Sequence, residues 1–510
     1  MSAERTVGAA RRSLRAELLV NLAGTGWSAL VQFACIPVYL AVLGAERYAL
    51  IAFSASLQLA LKALDLGVSH TANRELAGRA ASGRTEGVRE LLRTLETAYS
   101  LVGVVLGGVL AAAAPLIATR WFGESTLGPR PVTDAVRLIG LFIAVQWPLS
   151  LYQSALLGLG RAATMNGLAI ASSTLAGGGS VLLLLSGRRS LVAVLAWQAA
   201  VALAHTVAVA IATHGALPRD ARPARIRLMA LLELRSMLTG VGAITLSLLL
   251  LLQADKLLAS LWLPLADYGY YMLGATVSNG LGVLSAPVFN ALLPRLAAFA
   301  AGHDAARLAY EFRRGTRLIT LFVFPAMISA GVLAIDLLSL WTHDPVTARH
   351  AAPPATLLLL GMGSASLLQL SMALQMAAGR TRTGTGMNLL LLIALVPLGL
   401  VGSGSGAVGV AAAWAGLLAL GALLGGATIH RELLGAGSAR WLAVDVMRPL
   451  LAMLGVTLLA WPLLSVPVPP ALAALRLVGL GAVLTAVSAA VNGFRPALLR
   501  GLLDPTARAS

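Results

Sequence analysis

Residues 219–262 read RDARPARIRLMALLELRSMLTGVGAITLSLLLLLQADKLLASLW: a connector with five arginines runs into an apolar stretch that carries Gln253, Asp255 and Lys256 near its end. Arginine-rich connectors stay on the cytoplasmic side of a bilayer during insertion. An apolar run of about 20 residues is long enough to cross the ~30 Å hydrocarbon layer as a helix. The stretch therefore reads as a cytoplasmic connector entering a transmembrane helix at 237–260.

The same alternation extends over the rest of the 510 residues, 58% of them hydrophobic and 12% charged, with mean hydropathy +0.83. Apolar windows fall near 18–43, 48–67, 95–118, 134–157, 165–186, 190–213, 237–260, 267–291, 318–341, 353–377, 387–402, 405–427, 448–467 and 471–493. The chain is thus predicted to be an all-α polytopic membrane protein with about 14 spans, the eleventh brief. Fourteen spans of about 22 residues leave no room for a sizeable soluble domain.

The net charge of +17 would suggest nucleic acid in a soluble protein, but its distribution gives another reading. Of the 38 Lys and Arg, 28 lie in the N-tail, 74–93, Arg161, 219–235, 295–317, Arg380 with Arg382, 431–448 and the C-tail, all on one side of the alternation. The excess is topogenic, both termini are predicted cytoplasmic, and nucleic acid is not a predicted partner. Arg5, Arg11, Arg12 and Arg15 precede an apolar run with no small-residue cleavage site, so the first span reads as retained. Lys62 and Lys256 are the only lysines and neither follows a glycine, which excludes the phosphate-cradling loop of a nucleotide hydrolase. A lone cysteine, Cys35, excludes an intrachain disulfide or thiolate cluster.

The halves echo each other at one offset. Gly160-Arg161 leads to Met165-Asn166, and Gly379-Arg380 leads to Met387-Asn388, a displacement of 219 to 222; Tyr48 and Tyr268, which open the second and eighth spans, are 220 apart. Transporter folds are commonly built from such repeats. The parsing is a six-helix lobe over 1–214, a cytoplasmic linker at 215–236, a second six-helix lobe over 237–428, and two further spans with a tail at 429–510.

Ionisable groups inside spans are expensive in hydrocarbon and are functional candidates by default. Lys62 and Asp65 share a face near the cytoplasmic end of the second span and read either as a mutual ion pair or as part of an entry gate. Adjacent Asp255 and Lys256 project about 100° apart, so both cannot face one cavity equally. Gln253 shares the Lys256 face. The alternatives are interfacial snorkelling and hydration, or a coupling cation or proton on Asp255 and an anionic group on Lys256. Arg137 follows Asp134 by three, which suits a local pair. Gln146 and Gln153 flank Pro148 at mid-membrane and suit a polar ligand or helix–helix bonding equally. His205 lies inside the sixth span, a bonded neutral imidazole or a proton relay. Tyr268, with Tyr270 and Tyr271, falls where an aromatic belt is expected, and ligand stacking is the other reading.

Residues 21–73, NLAGTGWSALVQFACIPVYLAVLGAERYALIAFSASLQLALKALDLGVSHTAN, resemble the opening of bacterial polysaccharide flippases of the O-antigen translocase (Wzx) type: a proline late in the first span, Leu-Gly-x-x-x-Tyr, then Asp-Leu-Gly before a basic loop. Gln253-Ala254-Asp255-Lys256 with Asp267-Tyr268-Gly269-Tyr270-Tyr271, then Leu293-Pro294-Arg295-Leu296, and the Ala378-Gly379-Arg380 turn extend the resemblance to about residue 430. The resemblance implies two six-helix lobes in the V-shaped arrangement of the multidrug and oligosaccharidyl-lipid exporter superfamily. It implies transport of an undecaprenyl-pyrophosphate-linked oligosaccharide from the cytoplasmic to the outer leaflet of the bacterial inner membrane, with the pyrophosphate on Lys256 and sugar groups on Gln146, Gln153 or Tyr268 as the roles open to those residues. Membrane lipids, and a glycan polymerase and glycosyltransferases of the same pathway, are the implied partners; no cofactor is implied beyond coupling to H+ or Na+.

A membrane enzyme of lipid-linked sugars would need catalytic acids or histidines in a substantial outer loop. The outer stretch 119–133 holds one acid, Glu124, and 342–352 offers only His343, Asp344 and His350. A cation-coupled drug antiporter of the same architecture is the main alternative. Lipid II flippases carry arginines in the first span, and residues 18–43 contain none.

Overall fold

The computed structural model describes residues 2–65, 88–123, 125–217, 241–434 and 438–494. These are helical, with no strand among them, and they cluster into two units, Met1–Gly242 and Ala243–Ser510. Thirteen helical stretches among the described residues are long and apolar enough to cross a membrane. The expected fourteenth, at 48–67, forms the helix Ala45–Leu64, which is not among the thirteen. Val401 and Leu459 are 79% and 84% exposed, apolar surface that suits acyl chains and not water.

Unit 1 contains α1 (Ser2–Leu43), α2 (Ala45–Leu64), α3 (Val88–Leu116), α4 (Pro129–Gln146), α5 (Leu149–Gly158), α6 (Ala162–Leu185) and α7 (Leu191–Ala216). The expected single span at 134–157 is two segments in line, because Pro148 has no N–H to donate and its ring crowds the carbonyl four residues back. Elsewhere Pro37, Pro287 and Pro325 stay inside continuous helices. Helices α3 and α4 pack backbone to backbone: a Cβ on Gly107 would collide with the Gly140 carbonyl, and one on Gly140 with the Gly107 carbonyl. Small residues at such crossings are what lets helices associate where lipid offers no hydrophobic drive.

Unit 2 contains α8 (Val241–Trp262), α9 (Leu265–Ala301), α10 (Ala305–Val332), α11 (Ala334–Thr342), α12 (Pro345–Ala377), α13 (Thr381–Ser403), α14 (Gly406–Leu433), α15 (Arg448–Leu464) and α16 (Pro470–Val491). Helix α12 is its centre, with α9, α10, α11 and α14 packed around it. The eleventh span, expected to be brief, is the 23-residue helix α13. Most of the outer stretch 342–352 is the first turns of α12, started by Asp344 at the N-cap and Pro345 behind it.

The terminal pair α15 and α16 belongs to unit 2 and packs on α10. Ahead of it, a short π-helical segment, Leu442–Met447, buries Asp445 completely against α10. Arg313 donates to it through Nε at 2.6 Å and Nη2 at 3.3 Å, and Arg317 through Nε at 2.8 Å. Trp441 Nε1 donates to Thr316 Oγ1 at 2.9 Å beside that pair.

The sequence echo has a structural counterpart within each unit. Gly160 and Gly379 adopt φ of +71° and +68°, and the amides that follow reach back to the helix end: Arg161 N to Leu156 O at 2.8 Å, Arg380 N to Gln375 O at 3.0 Å. This is the same left-handed helix stop twice, open to glycine because it has no Cβ. Asn166 and Asn388 then lie buried early in the next helix, and Tyr48 and Tyr268 are both buried at the start of theirs.

Candidate functional site

In unit 2, about two turns from the end of α8, Asp255 is 0% exposed and Lys256 2%. Successive helical side chains diverge, yet these two meet. The lysine stem folds back along the helix so that Nζ donates to the Leu252 carbonyl at 2.8 Å, which sets it 3.1 Å from Asp255 Oδ1 and 3.4 Å from Oδ2. From α9, the Tyr271 hydroxyl donates to Asp255 Oδ2 at 2.8 Å. From α14, the Trp414 ring lies 5.5 Å from Nζ, and its indole N–H donates to the Leu251 carbonyl at 3.3 Å. Snorkelling and hydration, the interfacial alternative for these residues, is not what the structure shows.

Burying two charges is costly, and attraction in a low-dielectric interior offsets the cost only where the remaining hydrogen-bonding positions are filled. Here both carboxylate oxygens have donors and the ammonium has a carbonyl and an aromatic face besides. Such a site can hold a charge pair, exchange a proton at Asp255, or release Lys256 and accept a cation in its place. Two residues before Asp255, Gln253 is partly buried, and its Oε1 has no hydrogen-bond partner among the described residues.

Tyr268 and Tyr271 are both fully buried and take no part in an outer aromatic belt. Tyr270 is the partly exposed member of the trio, stacked on His350 with centroids 5.1 Å apart. A second polar patch of unit 2 joins α8 to α13, where Asn388 Nδ2 donates to Ser247 Oγ at 3.0 Å. Among the described residues, no three His, Cys, Asp or Glu side chains come together as a metal site.

The unit 1 candidates do not converge in this way. The Asp65 carboxylate accepts from the Tyr99 hydroxyl of α3; the side chain of Lys62, its expected partner, lies outside the described residues, as do the basic stretches 219–235 and most of 74–93. Arg137 and Asp134 form a local pair at 3.8 Å, each 56% exposed. Gln146 and Gln153 are partly buried on either side of the Pro148 break. His205 is partly buried with no partner for Nε2 among the described residues. The sequence reading did not identify Tyr271 as the partner of Asp255, nor Trp414 or Asp445. For Asp445 a signal existed, an isolated acid within a basic connector.

The family model described as "Polysaccharide biosynthesis protein" matches residues 84–341, half of the chain. No curated protein matches it. Among solved structures, its fold is similar to that of the lipid II flippase MurJ in an inward closed conformation, with TM-score 0.69 and 12% identity over 96% of this chain and 100% of that one. It is also similar to a multidrug resistance MATE family transporter of the MOP superfamily in an inward-facing conformation, with TM-score 0.63 and 12% identity over 80% and 94% of the two chains. A MATE transporter of Vibrio cholerae, VcmN, follows at TM-score 0.55 and 13% identity over 84% and 98%. The chain is a multi-pass membrane protein with a MurJ- and MATE-like fold, and it belongs to the polysaccharide biosynthesis protein family.

Proposed function

We propose that this protein is a flippase that moves a lipid-linked oligosaccharide, carried on undecaprenyl pyrophosphate, from the cytoplasmic to the outer leaflet of a bacterial inner membrane by alternating access. The observation that carries this reading is the family match, which runs through residues of both units. The fold supports it: the likeness to a lipid flippase extends over 96% of the chain, against 80% and 84% for the two multidrug transporters. The physics requires a protein for this task, since each unpaired polar group of a sugar or diphosphate costs several kcal/mol in hydrocarbon.

In this reading Asp255 is the coupling group, taking up H+ or Na+, with Lys256 and Tyr271 as the partners it exchanges against. Glycosyltransferases and a glycan polymerase act before and after the transport step. Deleting the gene in the native host and analysing its lipids tests the proposal. Lipid-linked oligosaccharide building up in the inner leaflet with loss of surface glycan is the expected result. Unchanged surface glycan with no such build-up overturns it.

A further inference from the structure

Unit 1 holds a cluster of titratable groups of its own. Glu96 of α3, Tyr152 of α5 and His214 in the last turn of α7 meet side by side. The Tyr152 hydroxyl donates to Glu96 Oε1 at 2.6 Å, while Glu96 Oε2 is buried and has no hydrogen-bond donor among the described residues. His214 Nε2 stands 3.5 Å from that oxygen, and its ring lies edge-on to Tyr152 with centroids 6.2 Å apart. The Thr213 hydroxyl, donating to Val209 O at 2.8 Å and reaching Tyr152 O at 3.4 Å, keeps α7 against α5.

The other groups around the cluster leave this oxygen to the histidine. On α3, Arg93 is exposed one turn before Glu96, and Tyr99 one turn after it is bonded to Asp65 at the end of α2. Helix α6 presents Met165 and Leu168 here, and the α4–α5 break presents Trp147. A buried carboxylate oxygen without a donor is unfavourable, and 3.5 Å is beyond a good N–H···O distance. An imidazolium at the same place supplies the missing donor with a charge attached, and charge-assisted bonds are shorter and stronger. The proton has a way in, because His214 is 44% exposed whereas Glu96 is 22%.

We propose that Glu96 and His214 form a proton-binding pair, in which uptake of one proton from water by His214 turns a loose approach into an ion pair that clasps α7 to α3. The pair stands apart from the coupling role given to Asp255. The test uses the full chain in nanodiscs with 15N-labelled histidine, the His214 signal being identified by its loss in His214→Gln. His214 is expected to take up the proton in wild type, and Glu96→Gln to weaken that uptake, since an imidazolium loses the adjacent carboxylate. In wild type, amide exchange in the last turn of α7, corrected for the intrinsic pH effect, should slow several-fold once His214 is protonated. If Glu96→Gln does not assemble, Tyr152→Phe serves instead: freeing Oε1 leaves the whole carboxylate to the imidazolium and should strengthen the uptake. Identical uptake in wild type and variant, or a histidine that never titrates, overturns the proposal.

Discussion

The Tyr271 hydroxyl of α9 donates to Asp255 Oδ2 of α8 at 2.8 Å, across 16 residues of sequence and with both side chains fully buried. This bond joins consecutive helices through the one carboxylate that also holds Lys256. Removing either charge leaves the other in the interior without its counterpart. Asp255→Asn and Lys256→Met should each cost about 3–5 kcal/mol, and the double variant much less than their sum. Thermal unfolding in nanodiscs reads this directly; additive losses would mean that the two charges do not act as a pair.

The same double variant separates folding from transport. If Asp255 is the coupling group, a chain carrying both substitutions folds and yet fails to restore surface glycan in a deletion host. Full restoration would confine the pair to a structural role.

Asp445 ties the segment ahead of the terminal helices to α10. Asp445→Ala should cost about 3 kcal/mol, the low end for a lost buried partner, because Arg313 and Arg317 keep 31% and 36% of their side-chain surface exposed. Hydrogen exchange should rise in 438–464 and stay unchanged in unit 1. Unchanged protection in 438–464 would show that contacts other than the Asp445 pair hold this stretch on α10.

Gly160 and Gly379 make the same helix stop in their units, so alanine at either should be destabilising by about 1–2 kcal/mol, the cost of a Cβ in left-handed backbone. Paired melting curves check it; a neutral Gly379→Ala beside a costly Gly160→Ala would mean that the two turns are not equivalent.

Asp344 caps α12, accepting from the Thr347 hydroxyl at 2.5 Å and the Val346 amide at 3.0 Å. The Thr347 hydrogen bond, foremost, and the backbone amides hold its carboxyl below the usual carboxylate range. A depressed carboxylate stabilises above its unfolded-state value and loses that contribution as pH falls through its folded one. Asp344→Ala should therefore cost about 1 kcal/mol at neutral pH and nothing once acid has protonated the wild-type group. A deficit that persists unchanged into acid would assign the loss to something other than the charge.

Hydropathy and arginine placement located the spans because bilayer thickness and insertion impose them on composition directly. They failed where polarity and secondary structure part company. Thr381 to Gly386 and Arg349–His350 are polar or charged and read as loop, yet they form the first turns of α13 and α12, since a helix continues past the hydrocarbon edge for as long as its backbone bonds close. At the site, Asp255 and Lys256 stood out as charges in a span, but the angle between successive side chains misled, because four methylenes let a lysine bend back to the carbonyl four residues earlier. The buried faces of Tyr268 and Tyr271 depend on which helix packs against them, and neither composition nor spacing carries that information.

The most direct measurement is leaflet-resolved quantification of the lipid-linked oligosaccharide in a deletion host, with and without the wild-type gene. Transport predicts that the glycan-bearing lipid accumulates facing the cytoplasm without the gene and reaches the outer face once it is restored. Equal amounts at the outer face in both strains would contradict it.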